Sequence, residues 1–358
     1  MAVTTKFHRP ATTFSSEPAA ASTKPMGLVG QIIQMTPILL TVLATALAGM
    51  SSSEMTQSMY YRSLAGQHQS KAGDQWAFFQ AKRIRGTSLE GTVTLLKSVA
   101  QLESPTATQM RGALGQIIAE IGAASLGGKK AAGELQSRLD QWQGANQKNP
   151  ALAYLFGPAL PSSADQELPK DAEHEDLHLA VAAMGRRHSE AELAELVKKV
   201  DPAQIEAAAL VAEHNADLFD QACEPASAAL AQLRGLIAAA AAAAGDADAK
   251  LRAELHQLST QIELISSDFD ARRYRRESVY NRKAAELYEL RVARSGVTSD
   301  KHRDRSRNFF FSMLLAQAGV TISSLALART NKSLFWSLAA LAGLASVLVT
   351  GWTYLAAN

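Results

Sequence analysis

Residues 309–355 read FFFSMLLAQAGVTISSLALA–RTNKS–LFWSLAALAGLASVLVTGWTYL, two apolar segments joined by a polar linker of five residues. Neither segment contains a charged residue. Each is long enough as a helix to cross a hydrocarbon core about 30 Å thick. The pattern predicts a transmembrane hairpin with spans at 309–328 and 334–355. The alternative is a buried hairpin in a soluble protein, although soluble helices normally keep a polar stripe.

A third charge-free segment, LVGQIIQMTPILLTVLATALAGM, occupies residues 28–50. It predicts a span at 26–50, after an N-terminal arm at 1–25, and Pro37 should kink this helix without ending it. A cleaved signal peptide is the alternative, because Ala46-Leu47-Ala48 forms a small-x-small site. The long arm and an apolar segment longer than about 7–15 residues favour a span.

Aromatic and basic residues flank the predicted hairpin. Trp336 and Trp352 are sixteen residues apart, about 24 Å along a helix, which predicts one at each membrane interface. Phe309 is predicted as a third interfacial anchor. Four basic residues precede it and are expected to contact anionic head groups, at about 1 kcal/mol per charge. They are Lys301, Arg303, Arg305 and Arg307.

The polar middle, residues 51–308, has the periodicity of amphipathic helices. In its outgoing helix, 51–103, the apolar positions include Met55, Met59, Ala72, Trp76, Phe79 and Val93. In its returning helix, 247–308, they are Leu258, Ile262, Ile265, Phe269, Val279, Leu287 and Leu290. We expect the two helices to pair antiparallel as a stalk.

The stretch 104–246 between these two helices is expected to form a helical head. Its helices are predicted at 106–126, 130–147, 170–200 and 202–244, with a loop at 148–169. Asp201-Pro202 forms an N-cap and first-turn pair. The predicted fold class is therefore all-α: an integral membrane protein with three transmembrane helices, a long antiparallel helical stalk and a helical membrane-distal head.

The composition excludes several classes of function. A net charge of +2 removes any whole-chain argument for nucleic-acid binding. The one cysteine, Cys223, excludes an internal disulfide framework and a multi-cysteine metal site. The 47% hydrophobic content and mean hydropathy of −0.07 are averages over three apolar segments and a polar middle.

His174-Glu175-Asp176-Leu177-His178 matches the HExxH pattern of zinc hydrolases, in which two histidines share a helix face and the glutamate serves as base. A zinc hydrolase centred on His174, Glu175 and His178 is therefore the second alternative function. The segment is strongly acidic and no third ligand is specified, so His174 and His178 are only weak metal candidates. The sequence predicts no catalytic residue, no cofactor and no enzyme activity.

The predicted spans contain Gln31, Gln34 and Gln317 but no ionisable side chain. This argues against a coupled transporter. We expect the glutamines to form interhelical hydrogen bonds, with Gly319/Ser323 and Ala339/Gly343 as small-residue contacts. A channel lined by Gln and Thr from several copies is the alternative.

Two segments carry a resemblance to known proteins: SKAGDQWAFFQAKRIR at 70–85, and the segment 277–328 that leads into and includes the second span. They resemble uncharacterised bacterial membrane proteins, of a domain-of-unknown-function family, with an Asp-x-Trp-aromatic-aromatic-Gln-Ala-Lys signature after an N-terminal span. That signature is found here at Asp74, Trp76, Phe78, Phe79, Gln80, Ala81 and Lys82. The resemblance implies the layout and no catalytic residue.

The signature also has a structural interpretation. Trp76, Phe79 and Lys82 lie on one helical stripe, so Trp76 and Phe79 are predicted to pack in the stalk, with Asn281 and Arg282 of the returning helix alongside.

The function predicted from these features is a membrane-anchored scaffold. It would be homo-oligomeric and in contact with the bilayer. Other subunits of a membrane complex are further candidate partners. The resemblance suggests a bacterial inner membrane. Basic residues near the spans place stalk and head in the cytoplasm, although Arg329 and Lys332 in the loop at 329–333 favour the opposite orientation.

Overall fold

The computed structural model describes residues 28–99, 101, 103–124, 126–147, 150–162, 175–185, 189–245, 249–328 and 332–355. Helices dominate these residues and no strand occurs among them, which confirms the predicted all-α class. The helices are α1 (Leu28–Val99), α2 (Ala107–Ala124), α3 (Leu126–Gln147), α4 (Ala151–Phe156), α5 (Glu175–Gly185), α6 (Glu190–Lys199), α7 (Pro202–Ala244), α8 (Ala249–Ala328) and α9 (Lys332–Leu355).

The chain divides into two compact units. The smaller unit comprises Met1–Thr56 and His302–Asn358, and the larger unit comprises Gln57–Lys301. The smaller unit thus contains the first part of α1, the last part of α8 and all of α9. Pro37 lies inside α1, which continues past it.

Close helix contacts hold the smaller unit together. Its buried core consists of Ala44, Leu47, Phe309 and Ala316. A Cβ atom at Gly319 would lie 3.0 Å from Leu40 Cδ1 and 3.2 Å from the Ala339 carbonyl oxygen. These small residues therefore allow the helices to approach closely, as in membrane helix pairs.

Polar contacts also join helices within the smaller unit. Ser346 Oγ donates to the Ser312 carbonyl at 2.7 Å, which joins α9 to α8. Ser306 Oγ donates to the Ser51 carbonyl at 2.8 Å, and His302 Nδ1 lies 2.6 Å from Glu54 Oε2.

The larger unit contains two clusters of buried apolar side chains. In the first, α2, α3, α4, α7 and α8 surround residues such as Leu139, Phe219 and Phe269. In the second, α5, α6, α7 and α8 surround Leu177, Ile205 and Leu287. The apolar faces of α7 and α8 belong to both clusters, so these helices are the centre of the unit.

Within the larger unit, α1 and α8 run antiparallel. Ser58 contacts Ser299 (Oγ–Oγ 3.1 Å), Trp76 contacts Glu289 and Glu90 contacts Arg275, so residue numbers fall along α8 as they rise along α1. Six of the seven apolar positions predicted for the returning helix are buried; Val279 is exposed. In the outgoing helix Ala72 and Val93 are buried, but Met59 is exposed.

Two predictions of local structure were wrong. Residues 151–156 form α4, inside the predicted loop at 148–169. The helix predicted at 170–200 is two helices, α5 and α6. Ser189 and Glu192 form a capping box, which starts a new helix because the serine side chain accepts a hydrogen bond from the Glu192 N–H in the first turn.

The break between α6 and α7 lies where the sequence placed it. Asp201 Oδ1 accepts a hydrogen bond from the Ala203 N–H at 3.0 Å, and Pro202 opens the helix. At the other end of α7, Gly245 has φ +51, a backbone conformation that favours glycine.

Candidate functional site: the Glu277 cluster between α1, α7 and α8

The signature segment of α1 contacts α8 through Trp76. Trp76 Nε1 donates a hydrogen bond to Glu289 Oε1 at 2.7 Å. The Phe79 ring meets the Trp76 ring edge to face at 5.4 Å, and the Arg83 guanidinium lies 5.9 Å from the Phe79 ring. Trp76 and Phe79, the two predicted packing residues, are both half-buried, and Trp76 contacts α8.

Lys82, the last signature residue, forms an ion pair with Glu277 of α8. Its ammonium group also lies 5.0 Å from the Tyr274 ring. Glu277 is 5% exposed, so its carboxylate is one of the few buried charges of the larger unit. Burial removes the hydration of a carboxylate, and an ion pair offsets that cost; Lys82 supplies one such partner.

Arg273 supplies the second cation and extends the cluster to α7. Its Nε donates to Glu277 Oε1 at 2.6 Å, and its guanidinium also pairs with Asp220 of α7. We call Lys82, Asp220, Arg273 and Glu277 the Glu277 cluster. It joins α1, α7 and α8 through alternating charges, which fixes the alignment of these helices.

Burial and charge set the protonation states in and beside the cluster. Burial disfavours the Arg273 cation, but Glu277 and Asp220 overcome this and raise the pKa of Arg273. Burial raises the pKa of the Cys223 thiol to about 11. It also raises the pKa of Asp270. Cys223 is therefore a protonated, buried thiol at neutral pH, which makes it a poor nucleophile.

Arg282, predicted to lie alongside the signature, forms an ion pair within its own helix. Arg282 Nε donates to Glu286 Oε1 at 2.8 Å, an i,i+4 pair within α8. The signature's partners on α8 include Glu277, Glu289 and Tyr274, which the sequence did not single out. Glu277 could have been found as an acidic residue on the returning helix opposite Lys82, in a segment rich in arginine.

The predicted interfacial anchors occupy different environments. Phe309 is 2% exposed and its ring lies 5.6 Å from Tyr354, so it packs between helices. Trp336 is half-buried and its Nε1 donates to Thr36 Oγ1 at 3.0 Å. Trp352 is 71% exposed. Phe309 therefore packs inside the smaller unit, whereas Trp352 is at its surface.

The predicted head-group contacts lie along one stretch of α8. Lys301, Arg303 and Arg307 are exposed and Arg305 is half-buried. Arg307 lies 3.7 Å from Asp304. Their exposure leaves the cationic groups at the surface of the helix.

The HExxH motif lies partly outside the described residues. His174 is not among them, and α5 begins at Glu175, with His178 in its first turn. Among the described residues, no group of three or more His, Cys, Asp or Glu side chains is arranged to hold a metal ion.

Four helices of the described chain are long and apolar enough to cross a membrane: α1, α7, α8 and α9. Three of them, α1, α8 and α9, overlap the predicted spans. The fourth, α7, was not predicted as a span. The apolar side chains of α7, such as Phe219, Leu233 and Leu236, are buried in the larger unit. Composition therefore identifies α7 as a candidate span, although its apolar side chains already pack against other helices of the larger unit.

Comparison with known proteins supports the resemblance stated above. Residues 31–149 match the model of a family described as a domain of unknown function, DUF4337. The match contains the signature at 74–82 and extends through α2 and α3, for which the sequence suggested no counterpart. It does not include the segment 277–328. The searches of curated proteins and of solved structures found no match.

Proposed function

We propose that this protein is a membrane-anchored helical scaffold without catalytic activity. Its spans are 26–50, 309–328 and 334–355. The α1–α8 pair forms the stalk, and the stretch 104–246, with α2 to α7, forms the head. The observation that carries the proposal is the outward position of apolar side chains in the smaller unit. Among the exposed ones are Ile38, Leu39, Val42, Leu338, Leu341, Leu344, Val347 and Leu348.

That exposure has a physical consequence. Water would solvate this apolar surface at a cost of about 25 cal/mol per Å², and soluble monomers rarely expose continuous apolar patches of that kind. A bilayer removes the cost. The basic residues Lys301, Arg303 and Arg307 then suit the head-group layer, where anionic lipids attract them.

The chemistry of the Glu277 cluster supports a scaffold more than an enzyme. Its two cations and two carboxylates are mutually paired, so the cluster stabilises helix alignment. Cys223 is protonated and buried. Both features favour a structural role for the Glu277 cluster and for Cys223.

Self-association is part of the proposal. Gln31, Gln34 and Gln317 are exposed on the surface of the smaller unit. A side-chain amide in hydrocarbon is stabilised by a hydrogen bond to a partner on another helix. We therefore propose a homo-oligomer in which these glutamines face a second copy.

Crosslinking tests this arrangement. In a Cys223→Ala background, Gln317→Cys should give disulfide-linked multimers in native membranes, whereas Ala316→Cys, buried in the same turn, should not. Gln34→Cys offers a second exposed position for the same test. Equal crosslinking at Gln317→Cys and Ala316→Cys would overturn the oligomer, and so would the absence of crosslinking at both Gln317→Cys and Gln34→Cys.

A channel is the second candidate, because the same outward glutamines would line a shared pore. Purified full-length protein reconstituted in planar bilayers should then conduct ions, and Gln317→Leu should change that conductance. Multimers without conductance would leave the scaffold as the function.

We propose a cytoplasmic location for the larger unit in a bacterial inner membrane. The positive-inside rule supports this location, because basic residues such as Lys301, Arg303 and Arg307 lie close to the second span on the side of the larger unit. In a Cys223→Ala background, Leu210→Cys should resist a membrane-impermeant maleimide in intact cells and react after permeabilisation. Labelling in intact cells would reverse the orientation.

A further inference from the structure

A cavity of about 290 Å³ lies in the larger unit between α1, α7 and α8. Its volume is just below the roughly 300–1,000 Å³ typical of ligand pockets, which suits a small ligand. Leu64, Pro202 and Ile205 form an apolar wall, and His68, Arg291 and Arg294 are among the polar residues of its lining. This combination of an apolar wall and a few polar groups is typical of small-molecule sites.

His68 is the most unusual of these residues. It is 6% exposed, and its Nδ1 has no hydrogen-bond partner. Nearly all buried polar atoms in folded proteins are hydrogen-bonded, and leaving one without a partner is costly. The neutral imidazole donates from Nδ1 in one of its two tautomers. A ligand with an acceptor atom in the cavity would satisfy it.

Arg294 provides a second such group. Its Nη1 donates to the carbonyl oxygens of Val197 and Lys198 at 3.1 and 3.0 Å, which fixes the guanidinium at the end of α6. Its Nε is buried and has no partner. Because a guanidinium nitrogen can only donate, this position also calls for an acceptor.

The charge of the lining selects the ligand. Arg291 Nη2 lies 3.3 Å from Glu206 Oε1, so these two lining residues neutralise each other. Arg294 has no carboxylate partner among the ion pairs of the described residues. The cavity therefore carries an excess positive charge beside its apolar wall.

We propose that this cavity binds a small organic carboxylate. Its carboxylate accepts hydrogen bonds from Arg294 and His68, and its apolar body lies against Leu64, Pro202 and Ile205. The apolar wall distinguishes this ligand from an inorganic anion, which would gain nothing from it. This site is additional to the proposed scaffold, and neither depends on the other.

Calorimetric titration of the full chain in lipid nanodiscs tests the site with three probes. Benzoate has the predicted charge and body, benzamide has the same shape without the charge, and inorganic phosphate has charge without the apolar body. We expect benzoate to bind at least tenfold more tightly than either of the others, since one hydrogen bond to a charged group contributes about that factor.

Variants locate the binding. His68→Leu removes the imidazole and Leu64→Phe fills the cavity while every polar group remains; each should weaken benzoate binding about tenfold or more. Their matched controls are His256→Leu on α8 and Leu95→Phe on α1, both at exposed positions outside the cavity. Circular dichroism checks that each variant is folded.

Several results would overturn the proposal. They are no benzoate binding at millimolar concentration, equal binding of benzamide, or stronger binding of phosphate. Benzoate binding that the folded His68→Leu and Leu64→Phe proteins retain in full would also contradict it, because the ligand would then lie elsewhere.

Discussion

The smaller unit and α7 both contain helices that are long and apolar enough to cross a membrane, yet they place their apolar side chains in opposite ways. In the smaller unit, leucines such as Leu39, Leu341 and Leu344 are exposed. In α7, whose residues are all described, Leu210 is the exposed large apolar side chain, and the others are buried or half-buried. Hydropathy measures how much apolar surface a helix has, whereas a membrane requires that this surface face outward. The structure therefore separates helices that composition alone groups together.

Charge substitution should break this comparison most strongly. Leu344 in α9 and Leu210 in α7 are both 57% exposed. Leu344→Arg should disfavour membrane insertion of α9 by about 2.5–3.5 kcal/mol, the cost of arginine at the centre of a spanning helix. Leu210→Arg faces water and should leave insertion unchanged.

The readout for this pair is the fraction of protein that resists alkaline extraction from membranes. Equal loss of both variants, or of neither, would mean that exposure does not distinguish the two environments.

Within the larger unit, buried and exposed ion pairs should differ by a smaller amount. Glu277→Gln leaves Lys82 and Arg273 with one anion fewer and should destabilise the unit by about 2–3 kcal/mol. Glu90→Gln breaks the exposed contact with Arg275 and should cost less than about 1 kcal/mol.

Thermal unfolding followed by circular dichroism compares these variants. For a unit of this size, the Glu277→Gln change corresponds to a Tm decrease of roughly 4–12 °C. Similar Tm values for both variants would show that the Glu277 cluster does not hold the helices together.

Close helix contact in the smaller unit should give an effect of about 1–2 kcal/mol. Gly319→Val places methyl groups against Leu40 and the Ala339 carbonyl, and overpacking of this kind separates helices. Gly351→Val is the control, because a Cβ there meets nothing within 4 Å.

Thermal unfolding of the purified protein in detergent, followed by circular dichroism, measures this loss. Tm should fall by roughly 2–8 °C with Gly319→Val and stay constant with Gly351→Val. An unchanged Tm with Gly319→Val would contradict the close packing.

The smallest expected effect is the pH dependence caused by His68. Burial, together with Arg291 and Lys71, lowers the pKa of His68, against the opposite influence of Glu206. The unfolded chain therefore binds this proton more readily. Stability should hold above about pH 6.5 and fall as pH decreases towards the lowered folded pKa, by at most about 1.4 kcal/mol per pH unit.

His68→Leu should remove this contribution, so its stability difference from the wild type should change between pH 7 and 5. His256→Leu is the control and should keep the wild-type slope. A constant difference for His68→Leu would contradict the lowered pKa.

Some features of the fold could be predicted because they are local. The charge-free segments, the Asp201-Pro202 boundary and the apolar positions of α8 depend only on neighbouring residues. The separation of α5 from α6 was also local, in the capping pair Ser189 and Glu192, but acidic composition on both sides obscured it.

The candidate sites are not local. Glu277 pairs locally with Arg273 four residues earlier, but it gains Lys82 only when α1 is aligned against α8, and no sequence spacing specifies which of the many acidic residues becomes buried. His68 is a single histidine in a polar helix, and its cavity depends on Ile205 and Arg291 from elsewhere in the chain. Phe309 lies at the predicted edge of a span, yet tertiary packing buries it.

Spin-label accessibility tests the central claim most directly. In a Cys223→Ala background, nitroxides at Leu344→Cys and Leu210→Cys of the full chain in liposomes would be exposed to oxygen, which concentrates in lipid, and to a water-soluble nickel chelate. The account predicts that oxygen dominates relaxation at position 344 and the chelate at position 210. Equal access of the chelate to both positions would contradict it.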